Sequence, residues 1–397
     1  MEAAKERRID DYRIELLSSV KRAVLKVGSG VLTGRTGLNL SVINDLSSSI
    51  YEIMARGIQI VLVSSGAIAS GFKKLGMVSK PKTISEKQAV AATGQPALIM
   101  AWEKAFERYG QKVAQILITR DDLTSRRRYL NARNTLMTLL SWNIIPIINE
   151  NDTVVVDEIK FGDNDNLSAM VTNLVDANLL VNLTDIDGLF DKDPRKHPDA
   201  RLVPVVERVD KRIRDFASSI PGFLGTGGMT SKIKAAQKVG LAGIPAIIAN
   251  GLRPGILMDI FDGKQVGTVF IPRNTALCKR KHWIAFTKAP KGELVVDHGA
   301  EKAIVSNGKS LLPSGIKEVR GRFGVGDAVV ITNERGENIA IGLVNYQSTD
   351  VDRIKGIRTN QIAAVLGFKH DDEIIHRDNL VLTRDTEEGV EECHFKN

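Results

Sequence analysis

The chain has 397 residues, 43% of them hydrophobic and 26% charged, with a formal net charge of +8. That length suits two or three domains rather than one small core, and the composition excludes a largely disordered chain. No apolar run approaches the roughly 20 residues that a membrane-spanning helix needs, and the two cysteines, Cys278 and Cys393, have no metal-ligand spacing and point to a reducing compartment.

Residues 1–19 (MEAAKERRIDDYRIELLSS) are too charged for a signal peptide and read as an extension, helical in pattern. From there, apolar β-rich runs recur at Ala23–Val27, Ile58–Val63, Val113–Ile118, Ile144–Ile148, Leu179–Leu183 and Ala246–Ile248. Each ends in small or polar residues and leads into a helical pattern. Continuous apolar strands alternating with helices predict a mainly parallel sheet covered by helices on both faces. Ligands in such folds bind beyond the carboxyl ends of the strands. Val154–Lys160 reads as a strand leading into the polar turn FGDNDN, a hairpin near that end.

After Ile271 the pattern changes. Residues 276–291 read as a linker, 292–370 as a small β-rich domain and 371–397 as an acidic tail. Alternating strands are expected at Glu293–Asp297, Ile316–Val319, Ala328–Thr332 and Asn338–Val344, the last two joined by the turn NERG. From Ala276 to the end, 18 Lys and Arg balance 18 Asp and Glu, so the basic excess lies wholly in the first part. A positive balance there favours anionic ligands.

The strongest local signal is the run Gly225-Thr226-Gly227-Gly228-Met229-Thr230-Ser231-Lys232, which opens a helix. Glycines admit a phosphate close to the backbone, and a helix start offers free amide donors to an anion. The bland alternative is a plain helix cap. The spacing is neither that of a P-loop nor that of a dinucleotide fingerprint, so a phosphate loop of another kind is indicated. Lys26 closes the first strand before Gly28-Ser29-Gly30, and Ser64-Ser65-Gly66 follows the second; an edge lysine in solvent and an ordinary cap are the competing readings.

Two polar clusters, Asn149-Glu150-Asn151-Asp152 and Asp163-Asn164-Asp165-Asn166, fall near strand ends. Single Asn and Asp residues are ordinary turn formers, but two clusters at one end of a sheet provide carboxylates to hold an ammonium or orient a lysine. Thr184-Asp185-Ile186-Asp187-Gly188 imitates a calcium loop, yet its glycine is misplaced. The basic run Arg126–Tyr129 reads as a solvated helix face. The first 281 residues hold one histidine, His197, which argues against hydrolytic triads and histidine metal sites there. Phosphoryl transfer to a carboxylate needs neither. A carboxylate acceptor would already be an anion at neutral pH, and the task would be to screen it from the donor's phosphates.

The ordered set LKVGSGVLT, VSSGAIASG, INENDTV, EIKFGDNDNLSA, LTDIDGLF and LGTGGMTSK resembles the glutamate 5-kinase family of the amino acid kinase superfamily, over residues 20–275. Residues 292–370 resemble the PUA domain appended to many of its bacterial members. The resemblance implies an α/β amino acid kinase fold plus a β-rich PUA domain. It implies Lys26 and Lys232 at the transferring phosphoryl group, with Asp165 orienting both. Ser65, Asp152 and Asn164 would bind glutamate. Thr184, Asp185 and the loop Thr226, Gly227, Gly228, Met229, Thr230, Ser231 and Lys232 would contact ATP, with Mg²⁺ held largely by the phosphates and no protein metal site.

The implied reaction is the first step of proline biosynthesis in the cytoplasm, with proline as feedback inhibitor, a homo-oligomer, and hand-off of product to glutamate 5-semialdehyde dehydrogenase. Sister kinases acting on aspartate, acetylglutamate, carbamate or uridylate are the near alternative. An RNA-binding PUA protein is the distant one: 10 basic against 9 acidic residues between Gly292 and His370 leave no electrostatic footprint for RNA.

Overall fold

The computed structural model describes residues 13–34, 37–79, 81–154, 164–218, 228–272 and 290–383. The apolar runs of the first part assemble one eight-stranded sheet. Its members are β1 (Arg22–Val27), β2 (Gln59–Ser64), β3 (Val113–Ile118), β4 (Ile145–Glu150), β5 (Leu179–Thr184), β6 (Val205–Val206), β7 (Ala246–Asn250) and β8 (Thr268–Phe270), in the order β3-β4-β2-β1-β5-β7-β8-β6. The first six strands in that order run parallel, and β8 and β6 run against them.

Side-chain alternation along each strand divides the apolar residues between two cores. Ala23, Leu25 and Val27 join one, with helices α1 (Leu40–Ala55), α3 (Ile84–Glu107) and α7 (Ile256–Phe261). Val24 joins the other, with α4 (Arg126–Ser141), α5 (Asn164–Leu174) and α6 (Met229–Leu241). The chain leaves β1 for α1 on the first face, and after the adjacent β5 it reaches α6 on the second by way of β6 and the helix Lys211–Ser218. A crevice opens between such strands at their carboxyl ends.

A short helix, α2 (Ala67–Lys74), packs against α3 with backbone on backbone. A Cβ at Gly94 would stand 1.9 Å from the Ala67 carbonyl oxygen, and one at Gly71 1.8 Å from that of Val90. Gly66 caps α2 at φ +109°, a conformation that side chains with a Cβ avoid. These glycines let the loop after β2 lie close over α3.

Described by itself, the second unit is a five-stranded sheet with its own core around Leu294, Ile331, Tyr346 and Ile354. Its strands are β9 (Gly292–Val296), β10 (Ile316–Gly321), β11 (Ala328–Thr332), β12 (Asn338–Leu343) and β13 (Leu380–Leu382), in the order β10-β9-β11-β12-β13. The division between the two units falls at Ala276 and Leu277.

Two segments expected at the margins are built in. Residues 13–18 are helical, and the buried Arg13 guanidinium donates to the carbonyls of Lys264, Val266 and Pro204 at 2.9–3.0 Å, so the end of the extension is anchored to the first unit. Leu17 and Val20 enter its core. In the segment expected as a tail, β13 pairs with β12 and carries the second sheet past residue 370. The expected hairpin after Val154, residues 225–227 of the glycine-rich loop and the acidic end lie outside the described residues.

Candidate active site

Alternation places Lys26 on the face of β1 that looks toward α5 and α6, one residue from the strand's carboxyl end. Asp165 stands in the first turn of α5 and Lys232 in that of α6. All three are buried, with 2–6% of their surface exposed. Lys26 Nζ lies 2.6 Å from Asp165 Oδ1, and Lys232 Nζ lies 3.1 Å from Asp165 Oδ2. One carboxylate therefore bridges two ammonium groups.

The Asp165 carboxylate accepts two further bonds, from Ser231 Oγ to Oδ2 at 2.5 Å and from Asn182 Nδ2 to Oδ1 at 3.0 Å. Burial opposes its charge, but the neighbouring ammonium groups of Lys26 and Lys232 outweigh that and hold its carboxyl well below the usual range. Burial, and then the charge of Lys26, push the Lys232 ammonium below its ordinary value. The trio carries a net positive charge in a poorly solvated place, which suits an anion carrying several negative oxygens.

A second group of side chains lies around the neighbouring residue of α5. Asn164 Nδ2 donates to Ser65 Oγ at 2.9 Å and to Asn149 Oδ1 at 3.0 Å. Asn164 Oδ1 is buried with no hydrogen-bond partner among the described residues. Asp152 opens a 3-10 turn after β4 and is 7% exposed. Burial, reinforced by the charge of Glu150, pushes its carboxyl up to about 7. A buried carboxyl of raised pKa is poised to pair with an arriving cation.

A third group completes the rim. Gly28 N–H donates to the Leu183 carbonyl, and a Cβ on Gly30 would lie 3.3 Å from Asp185 Cγ, so the loop after β1 lies against the end of β5. Thr184 Oγ1 donates to Asp185 Oδ1 at 3.1 Å. Gly228, Met229, Thr230 and Ser231 form the start of α6, whose first amides lack intrahelical partners by geometry. Thr226 and Gly227 lie outside the described residues. Arg127 and Arg128 are exposed on α4, and Arg128 pairs with Asp122 at 3.1 Å, as a solvated face would. Asp187 accepts from Asn250 Nδ2.

Sequence reasoning missed Asn182. Its signal was present: it is the polar residue inside the otherwise apolar run LLVNL of β5.

Residues 21–250 match the amino acid kinase family, and residues 292–366 match the PUA domain. The glutamate 5-kinase of Geobacter sulfurreducens is 53% identical over 93% of this chain and 100% of its own length. That of Syntrophotalea carbinolica is 50% identical over 94% of this chain and 100% of its own length. Among solved structures, carbamate kinase from Giardia lamblia bound to AMP-PNP aligns with 64% of this chain and 100% of its own at 17% identity, with a TM-score of 0.47.

Proposed function

Because the chain belongs to the amino acid kinase family, among the glutamate 5-kinases with a C-terminal PUA domain, we propose that it transfers the γ-phosphoryl group of ATP to the γ-carboxylate of L-glutamate. The observation that carries this reading is the Asp165 carboxylate bridging Lys26 and Lys232 at the carboxyl ends of the strands.

The chemistry needs no general base. A γ-carboxylate oxygen forms a bond to the γ-phosphorus while the bond from phosphorus to the β-phosphate oxygen breaks. Glutamyl 5-phosphate and ADP result, and no proton moves. Lys26 and Lys232 neutralise charge that gathers on the phosphoryl oxygens, and Asp165 fixes their separation. Ser65 and Asn164 bind glutamate, the bare Asn164 Oδ1 accepting from its α-ammonium, while Asp152 pairs with the same group. Thr184, Asp185 and the segment from Thr226 to Lys232 receive the nucleotide.

Both Asp165 oxygens are already engaged by the lysines, Ser231 and Asn182, so they leave no site for a cation. Among the described residues no three His, Cys, Asp or Glu side chains converge. That donor set fits Mg²⁺ held mainly by ATP oxygens and water. When bound, the ion would neutralise part of the phosphate charge.

The same reading carries proline as feedback inhibitor, a homo-oligomer, delivery of product to a glutamate 5-semialdehyde dehydrogenase and a cytoplasmic location. No helix of the described residues is long and apolar enough to cross a membrane. The test is ATP-dependent hydroxamate formation with hydroxylamine, comparing glutamate with aspartate, acetylglutamate, carbamate and uridylate as acceptors, with ADP release measured in parallel. ADP release greatest with another acceptor would overturn the assignment.

A further inference from the structure

Asn182 lies on β5 directly opposite Lys26 of β1 and is 2% exposed. Its neighbours along the strand, Val181 and Leu183, are fully buried apolar residues. An amide in such a place opposes folding unless both its ends are satisfied. Only the Nδ2 end is: it donates to Asp165 Oδ1, while Oδ1 has no hydrogen-bond partner among the described residues. A leucine or valine would suit the strand better, so stability does not account for this residue.

Its contact does. The terminal torsion of an aspartate is broad and nearly two-fold, and a lysine ammonium is a compact point charge on a flexible stem. Lys26 and Lys232 therefore do little to fix the direction of the carboxylate they share. Asn182 is short, planar and mounted on a strand paired on both sides, by β1 and β7. It is a rigid donor to Oδ1.

We propose that Asn182 is a positioning residue for phosphoryl transfer, holding the Asp165 carboxylate in the orientation that gives one oxygen to each lysine. The inference rests on the roles of Lys26 and Lys232 given above. It makes Asn182 a residue that acts through Asp165 and touches neither substrate.

The test is Asn182→Leu, with Asn182→Val as a second variant of smaller volume, in the full-length protein. The expected result is a kcat about tenfold lower, the scale of one lost hydrogen bond to a charged group. The KM values for ATP and glutamate stay as in the wild type, and the melting temperature does not fall. In an Asp165→Asn background the same substitution leaves kcat where Asp165→Asn alone puts it, because the group it acts through is gone. A lowered melting temperature with wild-type kcat would make Asn182 structural and overturn the proposal. So would an equal loss of kcat in both backgrounds. If the wild-type protein forms no hydroxamate from glutamate, the functional reading fails and takes this inference with it; an active wild type with an unimpaired Asn182→Leu variant overturns the inference alone.

Discussion

The two lysines on Asp165 make a sharp demand at the scale of single residues. Lys26→Ala and Lys232→Ala should each lower turnover by roughly 10² to 10³, as expected when one group that stabilises transition-state charge is removed. Each variant leaves Asp165 one ammonium partner, so folding should survive; near-normal turnover in either folded variant removes that lysine from the chemistry. Asp152 makes a different demand, set by its carboxyl at about 7. The raised value means that burying the carboxylate costs stability above pH 7, and that this cost fades as the group takes its proton below it. A protonated Asp152 cannot pair with an ammonium, whereas the α-ammonium and γ-carboxylate of glutamate do not titrate between pH 6 and 8. The KM for glutamate should therefore climb as pH falls from 8 to 6, by roughly tenfold over the two units and roughly fivefold over the last of them, while the KM for ATP shows no matching rise. Asp152→Asn should flatten that dependence and raise the glutamate KM roughly tenfold to hundredfold, the scale of one charge-assisted hydrogen bond. A change confined to ATP would put Asp152 on the nucleotide side.

At the scale of elements, the parallel strands were legible because strands buried on both faces read as apolar runs; even the edge strand Val113–Ile118, with Gln115 and Leu117 exposed, keeps most of that pattern. The two antiparallel strands were not. Val205–Val206 and Thr268–Phe270 span two and three residues, too few for any period to register. The anchoring of residues 13–18 was equally invisible, because Arg13 bonds to carbonyls about 190 and 250 residues away. Asp165 and Lys232 were legible as motif members, yet their meeting depends on two helices docking on one face, which spacing does not encode. The close passage of α2 over α3 was hidden for a related reason: a glycine in a helical pattern reads as a weak point until its neighbour is known. Two alanine substitutions separate these meanings. Gly94→Ala drives a Cβ into the Ala67 carbonyl at 1.9 Å and should cost about 1–3 kcal/mol or more, since backbone cannot yield as a side chain does. Gly240→Ala, in α6, meets nothing nearer than Pro272 at 3.9 Å and should be neutral or stabilising by up to about 1 kcal/mol. Urea melts of both variants check the pair, and an undamaged Gly94→Ala protein would mean that the two helices do not touch as described.

At the scale of the whole molecule, the change of pattern after Ile271 was visible in sequence because alternating short strands replace continuous ones, and because the charge excess stops there. The extent of the second unit was less visible. Leu380–Leu382 is a three-residue edge strand beside the acidic end, and its pairing with β12 follows from a return of the chain that no local pattern announces. Each unit has its own apolar core: among the described residues, the cores formed around Leu25 and Val24 draw on none beyond Phe270, and the one around Ile331 draws on none before Leu294. Every residue proposed for phosphoryl transfer and for glutamate lies in the first unit. A protein cut between residues 277 and 289 should therefore fold and keep its kinase activity, since it retains both cores of the first unit and every residue proposed for the chemistry. Its complement, residues 290–397, should fold alone as judged by a cooperative thermal transition. The glutamate and ATP requirements of the shortened enzyme should match those of the full chain, while its response to proline is free to change. Hydroxamate formation by the purified fragment decides the matter. If that fragment is soluble, melts cooperatively and makes no hydroxamate, the PUA domain has to be counted as part of the active assembly.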